Sequence, residues 1–303
     1  MLVAEPVLST SKIQREIMTQ ILFEKFNANG LYMADQPRLA LASYGKVSGC
    51  VIDVGHDSIS AACVTEGQLQ QPSCEKIGVA GRHMTEAFRL MAETALRKPT
   101  HANPPSSPSS PSSPSSPSSP SSLSDRQAEQ IKFASMEVSS SGAEFARVQG
   151  AGGDAHEYVL PDGSAVTLDR RDVLHCAEAL LFQPAKYGAP RLSLGDLAEM
   201  SIASMGELPA RKTLAESMLV VGGGSAIKGL EQRFLHDVRQ RFPPMYNVAL
   251  LRRPDYMPQT CPKYSTWVGA FIEAKLSFTQ NQQVTKYDYD ECGPSIIHKK
   301  AFL

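Results

Sequence analysis

Two runs of alternating side chains, Val51–Val54 and Ile59–Val64, are separated by only Gly55-His56-Asp57-Ser58. Alternation with period two places successive side chains on opposite faces, and a glycine-aspartate turn between such runs predicts two half-buried antiparallel strands. The hairpin carries Asp53 two residues before Gly55. An acid at that place either caps a loop or belongs to a phosphate clamp, in which bare amides approach an anion while a carboxylate holds a hydrated cation. A second glycine turn lies far downstream in MLVVGGGSAIKGLEQRF: Met218 to Val221 form an apolar strand, Gly222 to Gly224 the turn, and Leu230, Phe234 and Val238 a helical stripe. Strand, glycines and helix make a phosphate-cradle layout. A Walker lysine-serine pair is absent, and glycine turns of this kind are common in α/β proteins.

Around these turns the pattern is mixed. Arg15 to Phe26 predicts an amphipathic helix whose apolar stripe, Ile17, Ile21 and Phe26 with Met18 and Leu22, faces the core. GLYMAD predicts a short strand, PRLALASYG a helix closed at Gly45, and YVLPDGSAVTL two strands about the turn Pro161-Asp162-Gly163. Strand, helix and strand in succession place the chain in the α/β class. Between about residues 99 and 124 prolines recur every third residue from Pro105 to Pro120, separated by paired serines. Such a tract has nothing to bury and is expected to be a disordered, polyproline-like insertion into one folded body, with Ser-Pro pairs open to phosphorylation.

With 42% hydrophobic and 20% charged residues, the chain can bury a large core. A formal charge of −1, with no long lysine or arginine run, predicts neither nucleic-acid nor membrane partners. The six cysteines contain no CxxC pair, which fits reduced thiols in cytoplasm or nucleus. The seven histidines have no ligand or triad spacing, so zinc chemistry and Ser-His-Asp hydrolysis are not expected.

Longer stretches carry a family likeness. REIMTQILFEKFN, LPDG at 160–163, EALLFQP at 178–184, KYSTWVGAFIEAKLS at 263–277 and the closing YDYDECGPSIIHKKAF resemble actin segments, in the same order, from about residue 2 to 302. The chain is thereby identified as a divergent member of the actin family. The resemblance implies the α/β actin-like ATPase fold, two lobes with ribonuclease H-like motifs, here amino-terminally truncated: the first phosphate hairpin and small outer subdomain of the family find no match. On that expectation, 1–43 and 265–303 form part of the first lobe, 44–79 and 191–264 the inner subdomain of the second, and 80–190 its outer subdomain with the insertion. Losing those first strands is expected to leave a sheet edge and part of a core open to aggregation or to a completing partner.

The resemblance also implies a site. Asp53 matches the aspartate that acts on magnesium through water, and the amide near Gly55 faces the phosphates. Gln36 matches the glutamine that orients the hydrolytic water, although beside Pro37 it equally suits a helix start. Gly81, Arg82, Lys132, Gly222, Gly223 and Lys263 fall on the base and sugar side. Departures are His56 in place of an acid, Ser60 in place of a histidine, Phe133 in place of a glutamate and Ile227 in place of an aromatic ring. ATP or ADP with magnesium is therefore the expected cofactor, weakly held, and the turns at Gly55 and Gly222 are expected to converge on opposite walls of one cleft between the lobes. The expected role is that of a cytoskeletal actin-like protein acting through other proteins, actin or actin-related subunits among them. Gly45, Val268, Ile272 and Leu276 are expected to line a groove for a partner helix, although the same stripe equally suits a core, and Glu273 there departs from an apolar family position. The alternative is a non-catalytic scaffold subunit of a motor adaptor or chromatin-remodelling complex. A small-molecule kinase of the same superfamily fits less well, because the best-matching stretches belong to actins.

Overall fold

The computed structural model describes residues 1–8, 10–97, 123–151, 155–160, 163, 165–188, 191–258 and 261–300. A parallel pair, β1 (Leu2–Glu5) and β2 (Gly30–Asp35), is joined on its far side by the antiparallel β10 (Val284–Thr285). β1 stands at the edge of this sheet. Between β1 and β2 runs α1 (Lys12–Gln20), started by a capping box in which Ser11 and Gln14 satisfy each other's backbone amides.

The expected core stripe of this helix holds for Met18 and Leu22, which pack against the first sheet's core, and is corrected for Ile17, Ile21 and Phe26. At Ile21–Lys25 the helix widens into a π-helical turn. The buried face lies further round the helix, through Thr19 and, four residues on, Phe23, which stacks on Tyr289 with ring centroids 4.7 Å apart. Ile17 and Phe26 are left 50% and 69% exposed.

α2 (Gln36–Ser43) follows β2 and ends at Gly45, whose φ of +65° allows the chain to reverse. The second sheet has the order β5–β4–β3–β9, built from β3 (Gly49–Val54), β4 (Ile59–Thr65), β5 (Gln68–Leu69) and β9 (Met218–Val221), with β6 (Glu75–Ile77) also on β4. β3 and β4 form the expected hairpin, pairing Asp53 with Ser60, and β9 lies parallel to β3 with Val221 beside Asp53. The hairpin is buried on both faces rather than half-buried. Val51, Val64, Leu219 and Val221 pack with Ala40 and Leu41 of α2, whereas Cys50, Ile52, Ile59 and Cys63 share a core with residues of later helices.

Those helices are α3 (Gly81–Arg97), α4 (Asp125–Ser135), α5 (Gly142–Gly150), α6 (Arg170–Ala177), α7 (Leu194–Ala203), α8 (Leu208–Ala215) and α9 (Leu230–Arg241). A separate hairpin, β7 (Ala155–Val159) with β8 (Ala165–Asp169), occupies the YVLPDGSAVTL stretch. Of its turn, Pro161 and Asp162 lie outside the described residues, and Gly163 takes φ +85°. The Ser-Pro tract likewise lies outside them; after it, Leu123 is buried and Ser124 caps α4. In α9, Leu230, Phe234 and Val238 are fully buried, as the i, i+4, i+8 spacing predicts.

α10 (Ser265–Thr279) packs on α2 through its small residues, and α11 (Lys286–Cys292) with the short α12 (Ile297–Lys300) closes the first sheet's core. Ser265, Gly269, Glu273 and Ser277 form the buried stripe of α10. The approach is so close that a Cβ on Gly269 would lie 1.7 Å from the Leu39 carbonyl oxygen. Val268 and Ile272 therefore sit at the half-exposed flank of α10, and Leu276 is 53% exposed. Glu273 is held by an ion pair with Arg38 of α2.

Candidate functional site

Three backbone segments meet at the carboxyl ends of β3 and β9. The hairpin tip is closed by the Gly55 amide donating to the Ser58 carbonyl (3.1 Å). The start of α3 is laid against this tip: the Gly81 amide donates to the Gly55 carbonyl (3.1 Å), and the Arg82 amide to the His56 carbonyl (2.7 Å). A Cβ at Gly81 would stand 3.1 Å from the Gly55 oxygen, so glycine keeps this approach close. The third segment is Gly222–Gly224, after β9, where Gly222 takes φ +89° and Gly223–Ala226 coil into a 3-10 turn before α9 begins at Leu230. The amides nearest the hairpin are thus those of the glycine turn, and α9 begins at Leu230, the first residue of its predicted apolar stripe.

The turns at Gly55 and Gly222 do converge, but not from opposite walls of a cleft between lobes. They are neighbouring strand ends of one sheet. A Cβ on Gly222 would fall 2.2 Å from Asp53 Oδ1 and 2.7 Å from the Val54 oxygen.

Above these turns is a cavity of about 210 Å3. Gly55 and His56 line it from the hairpin, Gly81 and Met84 from α3, and Glu129, Lys132, Phe133 and Met136 from α4 or its end. Gly223, Gly224, Ala226, Ile227 and Lys263 complete it. Lys132 is 7% exposed, and its Nζ donates to the Thr85 hydroxyl (2.7 Å) and the Gly81 carbonyl (3.3 Å). Neither acceptor carries charge. Desolvation accordingly pushes the Lys132 ammonium below its ordinary pKa, with Glu129 acting weakly in the other direction. Lys263 Nζ and Lys132 Nζ both stand near the Phe133 ring, 5.2 and 5.1 Å from its centroid. A cavity floored by glycines and flanked by two ammonium groups suits an anion, and an exposed ring beside it suits an apolar planar group.

The other expected residues are placed differently. Asp53 lies beneath Gly222 rather than on the cavity wall, and desolvation raises its carboxyl above the usual range. A carboxylate in that place is of the donor type that a hydrated cation takes. Arg82 extends outward, 63% exposed, with Nε 3.9 Å from Asp57. Gln36 is the first residue of α2, among neither the cavity-lining residues nor the side chains bonded to Asp35 or Asp53. Thr85, which holds Lys132, and Glu129, Met84 and Met136 escaped the sequence reading. The one local signal was Thr85's position four residues after Gly81, one helical turn up the same face.

Glycine turns at adjacent strand ends, roofed by two helices that supply a buried lysine, define an α/β protein with an anion-receptive cleft. The chain belongs to the actin family: the family model described as Actin matches residues 1–302. Among curated proteins it is similar to actin-related protein 7 of Oryza sativa, in the indica and japonica subspecies alike. The identity is 33% over 301 residues, covering 99% of this chain and 76% of the relative. Actin-related protein 7 of Arabidopsis thaliana is 30% identical over 296 residues, covering 97% of this chain and 74% of that protein. The mixed α/β architecture is accordingly an actin-like fold.

Proposed function

We propose that this protein is an actin-like, actin-related protein whose cleft holds ATP or ADP as a structural ligand and whose work is done through contacts with other proteins. The observation carrying this reading is Lys132, a nearly buried cation bonded only to neutral acceptors at the wall of the glycine-floored cavity. A bound phosphate would supply the missing counter-charge. Gly55, Gly81, Gly222 and Gly223 would offer backbone approach, Lys263 and Arg82 positive potential, and Asp53 a carboxylate for magnesium through water. When bound, the magnesium nucleotide supplies charge that bridges these segments.

Turnover has less support. Gln36 is outside the cavity, His56 offers the metal no carboxylate charge, and Phe133 presents a ring where a ribose would meet an acceptor. Phosphoryl transfer depends on placing and neutralising charge around the reacting phosphate, so the chain is at most a weak ATPase. Protein partners, actin or actin-related subunits among them, would dock at the flank formed by Gly45, Val268, Ile272 and Leu276, where Leu276 is half exposed and Gly45 has open space above its Cα. Cytoplasm and cytoskeleton remain the first reading of location. A non-catalytic scaffold subunit, in a motor adaptor or a nuclear chromatin-remodelling complex, is the second, and the placement of Gln36 outside the cavity suits it.

Equilibrium binding of labelled ATP with magnesium tests the site. Saturable binding at micromolar levels, weakened about tenfold or more by Lys132→Met and by Asp53→Ala, is expected. Failure to saturate, in a chain whose circular dichroism shows it folded, rules the nucleotide out and leaves the scaffold reading.

A further inference from the structure

Cys50 and Cys63 face each other across the phosphate-side hairpin. They are register partners in the β3–β4 pair, and both are fully buried. The Cys50 amide donates to the Ser217 carbonyl (3.0 Å), the Cys63 amide to the Ser73 hydroxyl (2.8 Å), and the Cys63 carbonyl accepts from the Gln70 amide (2.9 Å). Both polar groups of Cys63 therefore point away from Cys50, and the two form a non-hydrogen-bonded pair, the type in which opposed side chains come closest. Cα atoms of such pairs lie about 4.5 Å apart, inside the roughly 4.4–6.8 Å span that a disulfide bridges. The side chains also point the same way, since both sulfurs reach one hydroxyl: Ser201 Oγ of α7 is 3.4 Å from Cys63 Sγ and 3.9 Å from Cys50 Sγ.

We propose that Cys50 and Cys63 are a site of oxidative modification, closing to a cross-strand disulfide that locks the hairpin bearing Asp53 and Gly55. Attack by either thiolate closes the same bond, and Cys63, whose sulfur has the closer contact with Ser201 Oγ, begins it here. With a peroxide as oxidant, the Cys63 thiolate attacks one peroxide oxygen, an S–O bond forms, the O–O bond breaks and hydroxide leaves. The Cys50 thiol then attacks the Cys63 sulfur of that sulfenic acid, the S–S bond forms and water departs. Two thiols lose two electrons and two protons, and the peroxide is reduced to water. In the closed fold the sulfurs are shielded, so reaction proceeds through local opening of the layer that α7 makes over β4, and the bond is buried again on closing.

The test uses the full chain, reduced, freed of reductant and exposed to hydrogen peroxide. Remaining thiols are blocked with iodoacetamide, and the protein is cut without reduction by proteases specific for aspartate and glutamate. Asp53 and Asp57 lie between Cys50 and Cys63, and Glu66 lies between Cys63 and Cys74, so every cysteine falls in its own fragment. The expected product is the Cys50 and Cys63 fragments joined, lighter than their sum by two hydrogens, and parted by dithiothreitol. Amides of β4 in the oxidised protein should exchange with solvent about tenfold more slowly. Recovery of both cysteines as blocked thiols, of Cys63 joined to Cys74, or of Cys63 as sulfinic acid overturns the proposal. Cys50→Val should abolish the joined fragment. The decisive mapping is made on the unaltered chain, so a folding defect in that variant leaves the mapped linkage, and what it means, unchanged.

Discussion

Asp53 Oδ1 occupies the place that a side chain on Gly222 would need, 2.2 Å from the Cβ position. Two glycine-turn motifs far apart in sequence are therefore mutually fitted, because β9 lies parallel to β3 and brings Val221 level with Asp53. Gly222 also holds φ +89°, a conformation costly for any L side chain. Gly222→Ala is expected to destabilise the fold by about 3 kcal/mol, from strain and overlap together. Gly223→Ala, with no atom within 4 Å of its Cβ position, should leave the urea midpoint nearly unchanged while weakening nucleotide binding. Equal midpoints for the two variants would contradict this packing.

Arg233 and Glu178 form a buried ion pair, side chains 2% and 1% exposed, with two N–H to carboxylate bonds of 2.7 and 2.8 Å. Ser139 and Asp237 take up further guanidinium donors. Truncating Glu178 removes two charged bonds from a guanidinium held out of water and leaves Asp237 as its remaining carboxylate. Glu178→Ala should therefore cost about 2–3 kcal/mol in chemical denaturation, more than removal of the exposed pair between Arg89 and Glu86.

The helix after Ser11 turns Phe23 inward and Ile17 outward, which predicts a contrast between two apolar residues of one segment. Phe23→Ala removes a ring that is 1% exposed and stacked on Tyr289, and should cost about 3–5 kcal/mol. Ile17→Lys, on the half-exposed face, should change stability by no more than about 0.5 kcal/mol. Thermal unfolding of the two variants settles which residue faces the core.

Acid stability should carry the signature of Asp288. Hydrogen bonds from Lys300, then from the Thr285 hydroxyl and amide, hold its carboxyl down at about 2, against an ordinary value of 3.8. A depressed folded value means that the unfolded chain binds the proton more readily. The contribution is thus complete above pH 3.8 and is lost as the pH falls toward 2. Asp288→Asn should flatten the stability profile in that interval and leave its shape near neutrality unchanged, as urea midpoints across a pH series will show.

Much of the architecture was legible from local pattern. The β3–β4 hairpin, the turn after α2, the buried stripe of α9 and the hairpin around LPDG depend on alternation, spacing and glycine placement within a few residues, and local hydrogen bonding enforces these. The Arg15–Phe26 stripe was legible only in part, with Met18 and Leu22 against the core but Ile17 and Phe26 outside it, because the buried face includes Thr19, whose hydroxyl hides it from a hydrophobic pattern. Burial of the hairpin on both faces was hidden for another reason: α7, which covers its second face, comes from distant sequence. Site residues divided likewise. Gly55, Gly81, Lys132, Gly223 and Lys263 line one cavity, whereas Gln36, Asp53, Arg82 and Gly222 are not among its lining residues.

By itself, then, the order of residues determined the elements, their turns and the family, since each rests on short-range stereochemistry or on long matching stretches. Only the tertiary structure decided which elements became neighbours. It set Gly222 on Asp53 within a single sheet, turned Phe23 rather than Ile17 inward, and brought Cys50, Cys63 and Ser201 together. Those outcomes follow from parallel strand pairing, helix phase and close packing, which are settled by the whole chain competing for one interior.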